Sequence, residues 1–136
     1  IGLDRWRKPF LHDGSQELAE GLSVKNSLPN VSAVLFRRKE IDQVLKDGQE
    51  KIAQFRVAGD WFVYASLCKL GRIAYDPKPL NCHRRHAASV TISNFGNEEW
   101  QEIRDMQRIV QSMVEVPENL KLVADQYLKE LSKLLD

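Results

Sequence analysis

Hydrophobic positions change their period along this chain, and each change marks an element. Behind Ser15, a residue type suited to capping a helix N-terminus, Leu18, Ala19 and Leu22 recur at helical spacing. Asn26 to Asn30, around Pro29, reads as a turn. Val31-Ser32-Ala33-Val34-Leu35-Phe36 is apolar and rich in β-branched and aromatic residues, which predicts a buried strand. Arg37 to Lys46 returns to the helical period with Ile41, Val44 and Leu45 on one face, and Asp47-Gly48 predicts its end. A short helical piece over Gln49 to Phe55 follows. Asp60 to Leu70 is apolar nearly all round, which predicts a buried helix stopped by Gly71. Arg72-Ile73-Ala74-Tyr75 reads as a strand, broken by Asp76-Pro77-Lys78-Pro79. Leu80 to His83 reads as a further short strand or extended edge, because Pro79 has no N–H to give a central ladder. Ile1 to Gly14 shows no period and reads as irregular, with Phe10 and Leu11 tucked onto the core.

From Asn97 the pattern is purely helical. Trp100, Ile103, Met106, Val110 and Met113 mark a long amphipathic helix, and Glu98, Glu99 and Glu102 near its start complement its dipole. Pro117 breaks it and suits the start of the next helix. Leu120, Val123, Ala124, Tyr127, Leu128, Leu131 and Leu134 mark that last helix. The expected fold class is α+β, predominantly helical with two or three short strands. The expected division is a catalytic-type part over 1–94 and a helical hairpin over 95–136.

A net charge of +1 leaves no global field to draw in nucleic acid or an anionic membrane, so any anion site must come from local clustering. At 136 residues the chain is long enough for one domain with a real core. Its two cysteines, Cys68 and Cys82, do not make a secreted disulfide framework, and both are expected reduced in a cytoplasmic protein. No apolar run approaches the roughly 20 residues of a membrane span. The first residues, Ile1-Gly2-Leu3-Asp4-Arg5-Trp6-Arg7, contain no signal-peptide core.

The chemistry concentrates between Gly59 and Thr91. Asp60 falls at the expected start of the buried helix, where a capped backbone N–H and the helix dipole both favour the ionised carboxylate. Such a carboxylate can take a proton from a sugar hydroxyl; the plain alternative is a helix cap and nothing more. His83-Arg84-Arg85-His86 is a dense basic cluster. In an extended segment Arg84 and His86 share one face, continued by Ser89 and Thr91, and together they can grip a diphosphate or its metal ion. The alternative there is a solvated basic patch. Cys82, His83, His86 and Cys68 match no standard zinc spacing, and Cys68 reads more simply as a core thiol. Arg37, Arg38 and Lys39 read as a solvated first helical turn. Trp61 and Trp100 lie at core spacing. The sequence carries no Gly-x-Gly-x-x-Gly, no Walker loop, no Gly-x-Ser-x-Gly and no Asp-x-Asp.

Five pieces taken together resemble the family-two, GT-A-fold, inverting glycosyltransferases. They are Asn30 to Arg38, Gly59-Asp60-Trp61, Gly71 to Tyr75, Pro79-Leu80-Asn81 and Arg84-x-His86-x-x-Ser89-x-Thr91. Their order and spacing are similar to the C-terminal, acceptor-side half of that catalytic domain, over about half of the chain. The resemblance implies Asp60 as the catalytic base and Arg84, His86 and Ser89 at the nucleotide diphosphate, with His86 near the metal. It implies a nucleotide-sugar donor, a saccharide or lipid-linked acceptor, and Mn or Mg in the intact enzyme. Many relatives carry Glu-Asp where this chain has Gly59-Asp60. The family's nucleotide-binding first half, with its Asp-x-Asp metal site, has no counterpart here. The expectation is therefore an inactive fragment of a larger enzyme of bacterial surface polysaccharide synthesis, holding no metal alone. It would self-associate through uncovered apolar surface and reach the inner membrane only through its parent protein. The other reading of the same residues is a non-catalytic helical protein-interaction module.

Overall fold

The structure, a computed structural model, describes residues 6–28, 30–82 and 95–135. Its elements run β1 (Phe10–Asp13), α1 (Gly14–Glu17), α2 (Arg38–Ile52), α3 (Gly59–Cys68), β2 (Arg72–Tyr75), α4 (Asn97–Met113) and α5 (Glu118–Ser132). The fold is α+β and mostly helical, and β1 and β2 form a two-stranded antiparallel sheet.

The sheet begins in a segment that reads as irregular. Phe10 pairs with Tyr75 and Asp13 with Arg72. Aromatic packing explains why so short a pair holds: the Phe10 and Tyr75 rings stack at 5.3 Å, and Trp6 meets Tyr75 edge-on at 4.8 Å. The chain then turns directly into α1 at Gly14, whose N–H donates to the Gly71 carbonyl at 2.8 Å. A Cβ at Gly14 would fall 1.7 Å from the Cys68 carbonyl oxygen, so only glycine lets α1 pass the end of α3. The helix signalled by Leu18, Ala19 and Leu22 widens into a π-turn over Leu18–Leu22, closed by the Ser23 N–H on the Leu18 carbonyl at 2.8 Å.

The core joins Leu18, Leu22, Ala58, Trp61, Tyr64, Ala65 and Cys68 to Met106 and Val110 of α4. Thus α4 shares one apolar interior with the π-turn and α3. Its amides stitch it on both sides: Gln107, buried, donates to the Val24 carbonyl at 2.7 Å and to the Ala124 carbonyl at 3.1 Å. Trp100 closes the hairpin by donating its indole N–H to the Leu128 carbonyl at 3.0 Å.

Three further expectations are corrected. The Val31–Phe36 strand is absent: Val31–Ala33 is a 3₁₀ turn, Val34 is extended but unpaired, and Leu35 is fully exposed. An apolar run becomes a strand only beside another edge, and among the described residues none lies there. Asn30 offers a local alternative by accepting the Ser32 N–H at 3.0 Å, while Phe36 leaves the run to stack on Tyr64. Next, α2 does not stop at Asp47-Gly48 but continues to Ile52, absorbing much of the separate piece expected after it. Gly48 serves close packing, since a Cβ there would sit 3.1 Å from the Phe62 ring of α3. Lastly, Leu80, Asn81 and Cys82 form no strand and are exposed; His83 lies outside the described residues. No described helix is long and apolar enough to cross a membrane.

Candidate functional site

Asp60 is the second residue of α3, not its N-cap; that place belongs to Ala58, which has no side chain to cap with. The approach to α3 is fixed from outside. The Glu102 carboxylate on α4 accepts the backbone N–H groups of Arg56, Val57 and Ala58 at 2.7, 2.9 and 3.1 Å. Successive N–H groups converging on one anion form a backbone nest. An acid expected to serve its own helix dipole therefore anchors the start of another helix. Beside it Arg56 pairs with Glu99 at 3.3 Å, and Glu99 also accepts the Gly96 N–H at 2.9 Å. That bond is half of a capping box, since glycine has no side chain to return the other half.

The Asp60 side chain meets solvent, yet its two carboxylate oxygens are not equivalent. Oδ1 accepts the Trp61 backbone N–H at 2.7 Å and the Asn26 Nδ2–H at 3.3 Å. No other described residue donates a hydrogen bond to Oδ2. Partial burial strips enough water from the carboxylate to raise its pKa above the ordinary 3.8, outweighing the opposing pull of the Trp61 N–H, the Asn26 amide and its own backbone N–H. The net direction reverses the expectation from capping and dipole alone. A carboxylate with raised proton affinity, one oxygen tethered and the other open, is chemically equipped to accept a proton.

The neighbours of Asp60 are core residues. Trp61 is buried and donates its indole N–H to the Leu22 carbonyl at 3.1 Å. Tyr64, one turn on, has its pKa pushed up to about 12, first by burial and then by the Asp60 charge. Its hydroxyl has no hydrogen-bond partner among the described residues. Cys68 is a buried core thiol whose pKa burial, aided by the Glu17 charge, pushes up to about 12. Cys82 is exposed, and neither cysteine is in a disulfide. Arg38 pairs with Asp42 at 2.7 Å on an exposed helix face, as a solvated first turn predicts.

His83, Arg84, Arg85, His86, Ser89 and Thr91 lie outside the described residues. The structure thus gathers Asp60 with Asn26 and Trp61. Asn26 escaped the sequence reading, where it was one turn residue among several. Among the described residues no three His, Cys, Asp or Glu side chains come together to hold a metal ion. The chain matches no protein-family model, no curated protein and no solved structure.

Proposed function

We propose that this chain is the acceptor-side half of an inverting, GT-A-type glycosyltransferase domain and that Asp60 is its general base. The single observation that carries this reading is the asymmetry of the Asp60 carboxylate, which is tethered through Oδ1 and takes no hydrogen bond at Oδ2 from any other described residue, at the exposed start of a buried helix. The five sequence pieces resembling family-two transferases supply the chemical context.

In this reading an acceptor hydroxyl gives its proton to Oδ2 as its oxygen bonds to the anomeric carbon of the donor sugar. The bond from that carbon to the diphosphate oxygen breaks on the opposite face, and its electron pair leaves with the nucleoside diphosphate. Attack from the far side inverts the anomeric centre. Arg84, His86 and Ser89 are proposed to hold the diphosphate, where charge develops as it leaves. The divalent ion that the resemblance implies finds no ligand set among the described residues.

The test is transfer from a UDP-sugar to a saccharide acceptor by the protein that contains this chain, with the product's anomeric configuration read by NMR. An inverted linkage is expected. A retained linkage, or hydrolysis and transfer both absent over a panel of UDP-sugars, contradicts the reading. The second reading, a helical interaction module, draws on the apolar side chains that α5 leaves exposed, Leu122 at 64% and Val123 at 38%. It predicts a protein partner held by α5, and no transfer.

A further inference from the structure

We propose that Asn26 is the positioning residue of Asp60: its amide holds Oδ1 and thereby leaves Oδ2 as the oxygen that takes the proton. The inference rests on the reading of Asp60 as a base, but its physical content is independent of any reaction.

The orientation of the amide is fixed by its own bonds. Asn26 Oδ1 accepts the Leu28 backbone N–H at 3.2 Å, which turns Nδ2 toward Asp60, 3.3 Å away. The opposite amide orientation would set two N–H donors against one another at Leu28 and two oxygens against one another at Asp60. The loop that presents Asn26 is held at nearly every residue. The carbonyls of Leu22, Ser23 and Val24 accept, in turn, the Trp61 indole N–H at 3.1 Å, the Gln111 amide at 3.2 Å and the Gln107 amide at 2.7 Å. On the other side of Asn26, the buried Ser27 hydroxyl donates to the Glu17 carboxylate at 2.6 Å. One donor thus comes from Trp61, the residue next to Asp60, and two come from α4, so loop and carboxylate form one rigid frame.

A side chain pinned at both ends converts the free rotation of a surface carboxylate into one orientation, which is how a supporting residue preorganises a reacting group. Its donated hydrogen bond also favours the ionised form and so opposes burial.

Asn26→Asp separates the two bonds. It is nearly isosteric and keeps an oxygen for the Leu28 N–H, but it removes the donor to Asp60 and places a like charge beside it. The ¹³C shift of the Asp60 carboxyl is followed through an acid titration of the 136-residue chain in wild type, Asn26→Asp and Asn26→Ala. The Leu28 amide shift monitors the turn. Expected is an upward movement of the Asp60 midpoint in both variants, larger in Asn26→Asp, with the Leu28 amide of Asn26→Asp unchanged. In the intact enzyme the acid limb of the kcat profile moves with that midpoint, and kcat falls about tenfold in Asn26→Ala, the loss of one hydrogen bond to an ionised group, while donor KM holds. An Asp60 midpoint unmoved in both variants overturns the inference. If the midpoint moves but Asp60→Asn still transfers sugar at the wild-type rate, the base reading fails while the Asn26–Asp60 hydrogen bond stands, so the two failures are told apart.

Discussion

Gln107 on α4 donates to the Val24 carbonyl at 2.7 Å, tying the C-terminal hairpin to the loop that carries Asn26. Because the same amide also reaches Ala124 on α5, one buried side chain fixes three parts of the molecule. Gln107→Ala removes both donors and leaves two carbonyl oxygens without them. The expected loss of stability is about 1–3 kcal/mol, read from the midpoint of chemical denaturation. A variant as stable as wild type would show that water replaces the amide without cost.

Glu102 supports a second prediction. Its carboxylate satisfies three successive N–H groups just before α3, and no other described group accepts from them. Glu102→Gln keeps the shape but swaps one acceptor oxygen for a donor, so at least one N–H faces another N–H. A loss of about 1–3 kcal/mol is expected, together with faster amide exchange at Val57 and Ala58. Exchange at those amides equal to wild type would contradict the nest.

Particular residues show why some of this was legible in the sequence and some was not. The helices carrying Met106 and Leu128 announce themselves because a long amphipathic helix writes its own period, whatever it packs on. The strand at Phe10–Asp13 is silent because its evidence lies in a distant partner, Arg72–Tyr75. Val31–Phe36 carries strand-like residues, but β-propensity describes a fit to a neighbouring pleated surface, and no such neighbour lies beside it among the described residues. Gly48 carries a stop signal that α3 turns into a packing contact with Phe62. Asp60 stood out from local pattern alone. Asn26 did not, since its bond to Asp60 spans 34 positions and has no periodic trace.

The raised carboxyl of Asp60 has a defined thermodynamic sign. Its folded-state pKa lies above the ordinary 3.8, so within that window the folded chain binds more protons than the unfolded one. Its contribution to stability is therefore present below the window and is lost as pH rises through the folded pKa. Glu99 acts oppositely: its backbone hydrogen bonds, with help from Arg56, hold its carboxyl below the usual range, and its contribution is lost as pH falls. The difference in stability between wild type and Asp60→Asn isolates the first effect. On raising the pH through the window, wild type should fall relative to the variant in matched denaturation series. A relative rise would mean that the carboxylate is stabilised by the fold.

The most direct measurement is the transfer rate of Asp60→Asn in the protein that contains this chain, beside its circular dichroism and denaturation midpoint. With an unchanged fold, the account predicts a rate lower by about 10²–10⁴-fold, the share of a positioned base. Turnover close to wild type in a correctly folded Asp60→Asn enzyme would contradict it.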